Sequence, residues 1–128
     1  MKFSVFSDIL SKIEKKPLPG RQSHLKMASA QRAKILNDSN KFSENPKKAA
    51  VLAAFYPDQK GDTHLLLIKR QGGKDVHAHQ IALPGGQYEP SDLDLKTTAL
   101  REAYEEVGIL PAQISCVRAL TAVYIPPS

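Results

Sequence analysis

Apolar residues recur near the start of the chain at the spacing of a helix. Phe3, Phe6, Ile9, Leu10 and Ile13 share one face, which predicts an amphipathic helix over 3–15. Pro17, Pro19 and Gly20 end it, because proline lacks the N–H that a helix needs and crowds the turn before it. A second, weaker helical pattern covers 29–36 and stops at Asn37-Asp38-Ser39-Asn40. Polar and basic residues then run to Lys48 without periodicity and read as a linker or irregular arm.

The pattern changes at Ala49. Residues 49–56 form an apolar run of strand length, 57–62 a turn and 64–69 a second strand, together a predicted hairpin. A polar loop follows over 70–79. A short strand at 81–83 runs into Pro84-Gly85-Gly86, which ends it. A long acidic loop leads to a helix over 95–107. Gly108 stands where a left-handed C-cap belongs. A last strand is predicted over 117–125. Cys116, in an apolar segment at 114–120, reads as a buried thiol. The order β-β-β-α-β predicts an α/β (α+β) fold, a mixed sheet with a helix packed on it. The first helix covers the other face, or the covering element is missing. Two units follow: a basic helical arm, 1–48, and a body, 49–128. The stop at Pro126-Pro127-Ser128 carries the expectation that the natural chain continues.

Composition narrows the function classes. The 128 residues are 41% hydrophobic, enough for a core, and 24% charged, near the globular average. No apolar run is long enough for a spanning helix. Asp8, Lys12 and Glu14 interrupt the apolar run that a secretory signal requires. A single cysteine forms no internal disulfide and fits a reducing compartment, so a cytoplasmic location is expected. The net charge of +5 is uneven. Residues 1–48 hold eleven Lys or Arg against four Asp or Glu, a net +7, and the remainder is mildly acidic. Such an arm suits an anionic partner or is a solvated surface. Its aromatics are few, Phe3 and Phe6 on the apolar helix face and Phe42 alone in the basic stretch, which disfavours a nucleic-acid reading.

The helix over 95–107 carries the candidate chemistry. Leu100, Ala103, Tyr104 and Val107 fall at i, i+3, i+4 and i+7, the predicted buried stripe. Glu102 and Glu106 are four apart, and Glu105 lies beside them. Like charges at this spacing cost about 0.2–0.5 kcal/mol a pair, and the last turn faces the negative end of the helix dipole. Arg101 can pair with Glu105 but does not neutralise three acids. A hard divalent cation would, since such ions prefer carboxylate oxygens. A bare E-x-x-E-E reads more readily as a solvated acidic face. Pro84-Gly85-Gly86 just upstream changes the balance, because glycines let main chain approach a ligand closely.

Together, residues 83–109 read L-P-G-G-Q-Y-E-P-S-D-L-D-L-K-T-T-A-L-R-E-A-Y-E-E-V-G-I. This stretch resembles the Nudix box, G-x5-E-x7-R-E-U-x-E-E-x-G-U with U aliphatic. Arg101-Glu102, Glu105-Glu106, Gly108 and Ile109 match in place. The spacing from Gly86 to Arg101 is one residue longer than usual, Asp92 replaces the first glutamate, and Ala103 replaces a larger aliphatic. These departures resemble the coenzyme A pyrophosphatase-like branch, with P-G-G-x-x-D-x-x-D followed by T-A-L-R-E-A-x-E-E-x-G. Glu89 stands for the first aspartate, and Thr98-Ala99-Leu100-Arg101-Glu102-Ala103 match. His77-Ala78-His79-Gln80-Ile81 and the stretch from Leu120 are similar to that branch as well. Asp75 stands where a basic residue is usual, and His79 where glycine is frequent.

The resemblance implies a Nudix-like α/β/α sandwich that stops short of its C-terminal part. It implies hydrolysis of a nucleoside diphosphate derivative with Mg²⁺ or Mn²⁺ (EC 3.6.1 class). Coenzyme A or an acyl derivative is the first expected substrate, with ADP-ribose or a dinucleotide as the alternative. Glu102 and Glu106 are the implied leading metal ligands. Glu105 is a third ligand or positions water, the carbonyl of Gly85 or Gly86 completes the shell, and Arg101 orients the glutamates. Lys69, Arg70 and Lys74 are candidate phosphate contacts. His77, His79 and Gln80 are candidates for substrate or loop contacts, and Tyr88 for stacking or packing. The expected partner is a small-molecule diphosphate rather than a membrane or nucleic acid, and a homodimer stays open. A catalytically silent binding module is the reading from another class.

Overall fold

A computed structural model describes residues 1–38, 45–71 and 79–125. The first helix, α1, runs Phe3–Ile13. Phe3, Phe6, Leu10 and Ile13 turn inward and are half-buried, while Ile9 sits at the exposed edge of the predicted face. The helix is held to the body at both ends. At its start, Phe3 N–H donates to the Gly61 carbonyl and Thr63 N–H to the Met1 carbonyl, each at 2.9 Å. At its end, the Arg118 guanidinium donates to the carbonyls of Ile13 and Lys16, at 2.9 and 2.6 Å. Ile13 is the last residue of the helix and Lys16 lies in the turn after it, so the arginine fixes the point where the helix ends.

A short helix, α2 (Arg21–Lys26), was not expected from the sequence. Its six residues are too few for a periodic signal. It starts at Gly20, whose φ of 54° is a left-handed angle, and the Gly20 carbonyl accepts from Ser23 and His24 N–H. The helix α3 (Ala30–Asn37) lies within one residue of its prediction, with the Ser29 hydroxyl as N-cap and Leu36 buried. Arg32 reaches the Tyr124 carbonyl at 3.4 Å. The arm therefore packs on its own chain.

The strands are shorter than expected. The predicted strand over 49–56 divides into β1 (Ala49–Val51) and β2 (Phe55–Pro57). The predicted 64–69 strand divides into β3 (Thr63–Leu65) and β4 (Ile68–Lys69). The strand β5 covers Ile81–Ala82. The pairings are antiparallel: β2 with β3 as the predicted hairpin, and β4 with β5. The Phe6 ring lies 4.6 Å from that of Phe55 on β2. The glycines after Pro84 do not end a strand; Gly85–Gln87 is itself a strand, β6, antiparallel to β1. Helices and strands thus combine as the α/β class requires, with the described strands in three two-stranded ladders.

Two further expectations fail in the C-terminal segment. No strand forms over 117–125 among the described residues, and Cys116 is exposed rather than buried. A strand is held by bonds to a neighbour, and no described residue pairs with this segment in a ladder.

The helix α4 (Leu95–Val107) falls where predicted and packs on β1 and β6. Gly108 caps it at φ 73°, its N–H bonded to the Tyr104 carbonyl at 2.9 Å. The buried face differs from the predicted stripe. Thr98, Ala99 and Ala103 are buried, Leu100 and Val107 half-buried, and Tyr104 exposed. The strand beneath begins with two glycines, so the helix settles closest through its smallest side chains.

Candidate metal and diphosphate site

The acidic loop before α4 builds an anchor for an arginine. Asp94 caps the helix, accepting from Thr97 N–H at 2.7 Å. Asp92, only 5% exposed, accepts from Glu89 N–H at 3.0 Å and from the Thr98 hydroxyl at 2.9 Å. Arg101 meets it side-on: Nε to Oδ1 and Nη2 to Oδ2, both 3.0 Å. Nη2 also donates to the Gln87 carbonyl at 3.0 Å. The Arg101 guanidinium, together with Glu89 N–H, holds the Asp92 carboxyl well below the usual carboxylate range. The same pairing raises Arg101 further above its already high value.

The remaining face of the guanidinium addresses the glutamates. Nη1 donates to Glu102 Oε1 at 3.1 Å and to Glu105 at 3.3 Å. The expected contact between Arg101 and Glu105 is therefore present, but Asp92 is the closer partner. Glu106 points to the strand instead and accepts from Gly85 N–H at 2.8 Å. The Glu102 carboxylate lies against Gly86, where a Cβ would collide with its carbon and both oxygens. Main chain and carboxylate thus approach each other as only glycine allows.

Glu105 and Glu106 line one wall of an open cleft of about 470 Å³. Ile68, Lys69, Arg70 and Gln71 line the rest. Two candidate phosphate contacts and two candidate glutamates, more than thirty positions apart in sequence, thus face one space. Gln80 is joined to this region through its carbonyl, which accepts from Arg70 N–H at 2.9 Å. His79 adopts φ 65°, a left-handed angle, which gives a backbone reason for glycine at this position. Tyr88 is bonded through its N–H to the Lys48 carbonyl and does not line the cleft. His77 and Lys74 lie outside the described residues.

The anionic groups here are carboxylates, the chemistry that suits a hard divalent cation. Among the described residues, no three His, Cys, Asp or Glu side chains converge tightly enough to hold one in this conformation. The glutamates are engaged by Arg101 and Gly85 instead. Thr98 and the pairing of Asp92 with Arg101 were not identified from the sequence as part of the site. The available signal was Asp92 itself, an acid at the loop position of the box.

A family model described as the NUDIX domain matches residues 46–127. The chain belongs to the Nudix family. The Nudix match contains the whole segment from Pro84 to Ile109. Among relatives, Nudix hydrolase 15, mitochondrial, of Arabidopsis thaliana is 38% identical over 88 residues, covering 69% of this chain and 30% of that protein. Nudix hydrolase 22, chloroplastic, of the same plant is 41% identical over 75 residues, covering 59% of this chain and 25% of its own length. An uncharacterized Nudix hydrolase, NudL of Yersinia pestis (strain Pestoides F), is 42% identical over 80 residues, covering 62% of this chain and 39% of its own length. The matched stretches span a quarter to two fifths of these relatives. The two plant names place those proteins in organelles, so they do not support the cytoplasmic expectation. No helix among the described residues is long and apolar enough to cross a membrane.

Proposed function

We propose that this Nudix chain hydrolyses a diphosphate linkage in a nucleoside diphosphate derivative, with Mg²⁺ or Mn²⁺ as cofactor. The observation that carries the reading is the cleft that Lys69 and Arg70 line together with Glu105 and Glu106. Cations and carboxylates lining one open space suit a substrate that is itself a polyanion and arrives with a divalent ion.

In this reading Glu102 and Glu106 hold the ion, with Glu105 as a third ligand or as the group that positions water. The carbonyl of Gly86 or Gly85 completes the shell. When bound, the ion neutralises charge on the diphosphate and makes the attacking water more acidic. Arg101 orients Glu102 and Glu105. Lys69 and Arg70 bind phosphate oxygens and align the linkage for attack, with Gln80 and His77 as further substrate contacts. Water adds at phosphorus and gives up a proton to solvent, the bridging P–O bond breaks, and its electrons leave on the departing phosphate.

The first substrate is coenzyme A or an acyl derivative, giving 3′,5′-ADP and a phosphopantetheine. The T-A-L-R-E-A run and the lengthened box support this choice. A Mg²⁺-dependent assay offering coenzyme A, ADP-ribose, NADH and dinucleoside polyphosphates tests it. Turnover of coenzyme A above the others is expected. Turnover of ADP-ribose without coenzyme A rejects the substrate and keeps the hydrolase. A silent binding module is the second reading, favoured by glutamates engaged by the chain's own donors. Metal binding without turnover of any of these substrates would select it.

A further inference from the structure

Thr98 is fully buried, and its hydroxyl donates to Asp92 Oδ2 at 2.9 Å. It also approaches the Asp94 carbonyl at 3.3 Å. Asp92 Oδ2 therefore sits between the Thr98 hydroxyl, Glu89 N–H and Arg101 Nη2. Those donors leave the carboxylate little freedom to rotate. A carboxylate held in plane fixes the plane of the guanidinium paired side-on with it. Nη1 is then aimed at Glu102 and Glu105. The order of contacts is Thr98, Asp92, Arg101, then the two glutamates.

The arrangement also explains the short acid. Aspartate is one methylene shorter than glutamate. Within the longer stretch from Gly86 to Arg101, its carboxylate lies within reach of both the Glu89 N–H and the Thr98 hydroxyl. A longer side chain would carry the oxygens past these donors.

We propose that Thr98, acting with Asp92, is a positioning residue that sets Arg101 and through it the poses of Glu102 and Glu105 for cation binding. The inference rests on the cation-site reading given above. A purely structural threonine would affect melting but not the ion.

The test is Mn²⁺ binding, followed by calorimetry and by the paramagnetic resonance of free Mn²⁺. The proteins are the unmodified chain, Thr98→Val, Thr98→Ser, Asp92→Asn, the Thr98→Val/Asp92→Asn pair and Glu106→Gln, each checked for folding by circular dichroism. Thr98→Val is expected to weaken Mn²⁺ binding severalfold, less than the about tenfold scale for a group directly behind a ligand, because Asp92 and Arg101 stand between. Thr98→Ser keeps the hydroxyl and restores binding. The paired variant binds no more weakly than Asp92→Asn alone, because both changes break one chain of contacts. Unchanged affinity in Thr98→Val, or losses that multiply in the pair, overturns the proposal. If Thr98→Val does not fold, Asp92→Asn and Asp92→Glu decide, and wild-type affinity in both overturns it. No Mn²⁺ binding by the unmodified chain, or none of it sensitive to Glu106→Gln, overturns the cation reading and this inference with it. Binding sensitive to Glu106→Gln but not to Thr98→Val overturns this inference alone.

Discussion

Glu106, in the last turn of α4, accepts a 2.8 Å hydrogen bond from the backbone N–H of Gly85 on β6. The bond ties the acidic end of the helix to the glycine strand. Glutamine at 106 keeps an acceptor for that N–H but loses the charge. Glu106→Gln is therefore expected to weaken Mn²⁺ binding at least tenfold while the melting temperature stays near that of the unmodified chain. Calorimetric titration and a thermal melt check both halves. A large fall in melting temperature would mean that the charge stabilises the fold rather than the ion.

The two glycines should fail differently. A Cβ on Gly86 meets the Glu102 carboxylate, which is the end of a flexible side chain. Gly86→Ala is expected to cost about 1–3 kcal/mol, as overpacking does, and to displace Glu102. A Cβ on Gly85 meets the Ala50 carbonyl and the Val51 backbone, which are paired in a ladder and cannot yield. Gly85→Ala should be the more destabilising of the two in urea denaturation. Equal stability in both variants would contradict this packing.

Gly108 supplies a control at the end of the same helix, outside the cleft lining. Its φ is 73° and nothing lies within 4 Å of an added Cβ. Gly108→Ala should thus cost only the backbone term, about 1–2 kcal/mol for a left-handed angle. Mn²⁺ affinity in the folded variant is expected to be unchanged. A loss of affinity would show that the end of the helix also sets the glutamates.

Asp92 gives the fold a defined sensitivity to acid. Its folded pKa lies below the unfolded value of 3.8, chiefly through Arg101 and Glu89 N–H. For a depressed carboxyl, the stabilisation is full above the unfolded value and drains as pH falls below it toward the folded one. Asp94, held down by Thr97 N–H, and Asp58, by Asp62 N–H, act in the same direction. The urea midpoint should therefore drop as pH falls below 3.8, and Asp92→Asn should flatten that dependence. An identical pH profile in the variant would remove Asp92 from the account.

Much of α4 was legible because its signals are local. The helical period and Gly108 after it both act within a few residues, and the helix runs Leu95–Val107 as expected. The strands were less legible. A run such as 49–56 shows that a segment suits a sheet, but where its neighbours stop pairing decides where it breaks. The run over 117–125 has strand character and no described ladder partner, and Cys116 is exposed there.

By itself the sequence determined the family, the glutamate cluster and the helix that carries it. Those follow from spacing along one element, which the chain order contains. Tertiary structure decided that Arg101 turns first to Asp92, that Thr98 stands behind both, and that Lys69 and Arg70 reach the cleft lined by Glu105 and Glu106. It also decided that small residues, not Leu100 and Tyr104, form the closest face of α4. Each depends on the approach of separate segments, set by packing against the glycine strand, and periodicity within one segment does not encode that approach.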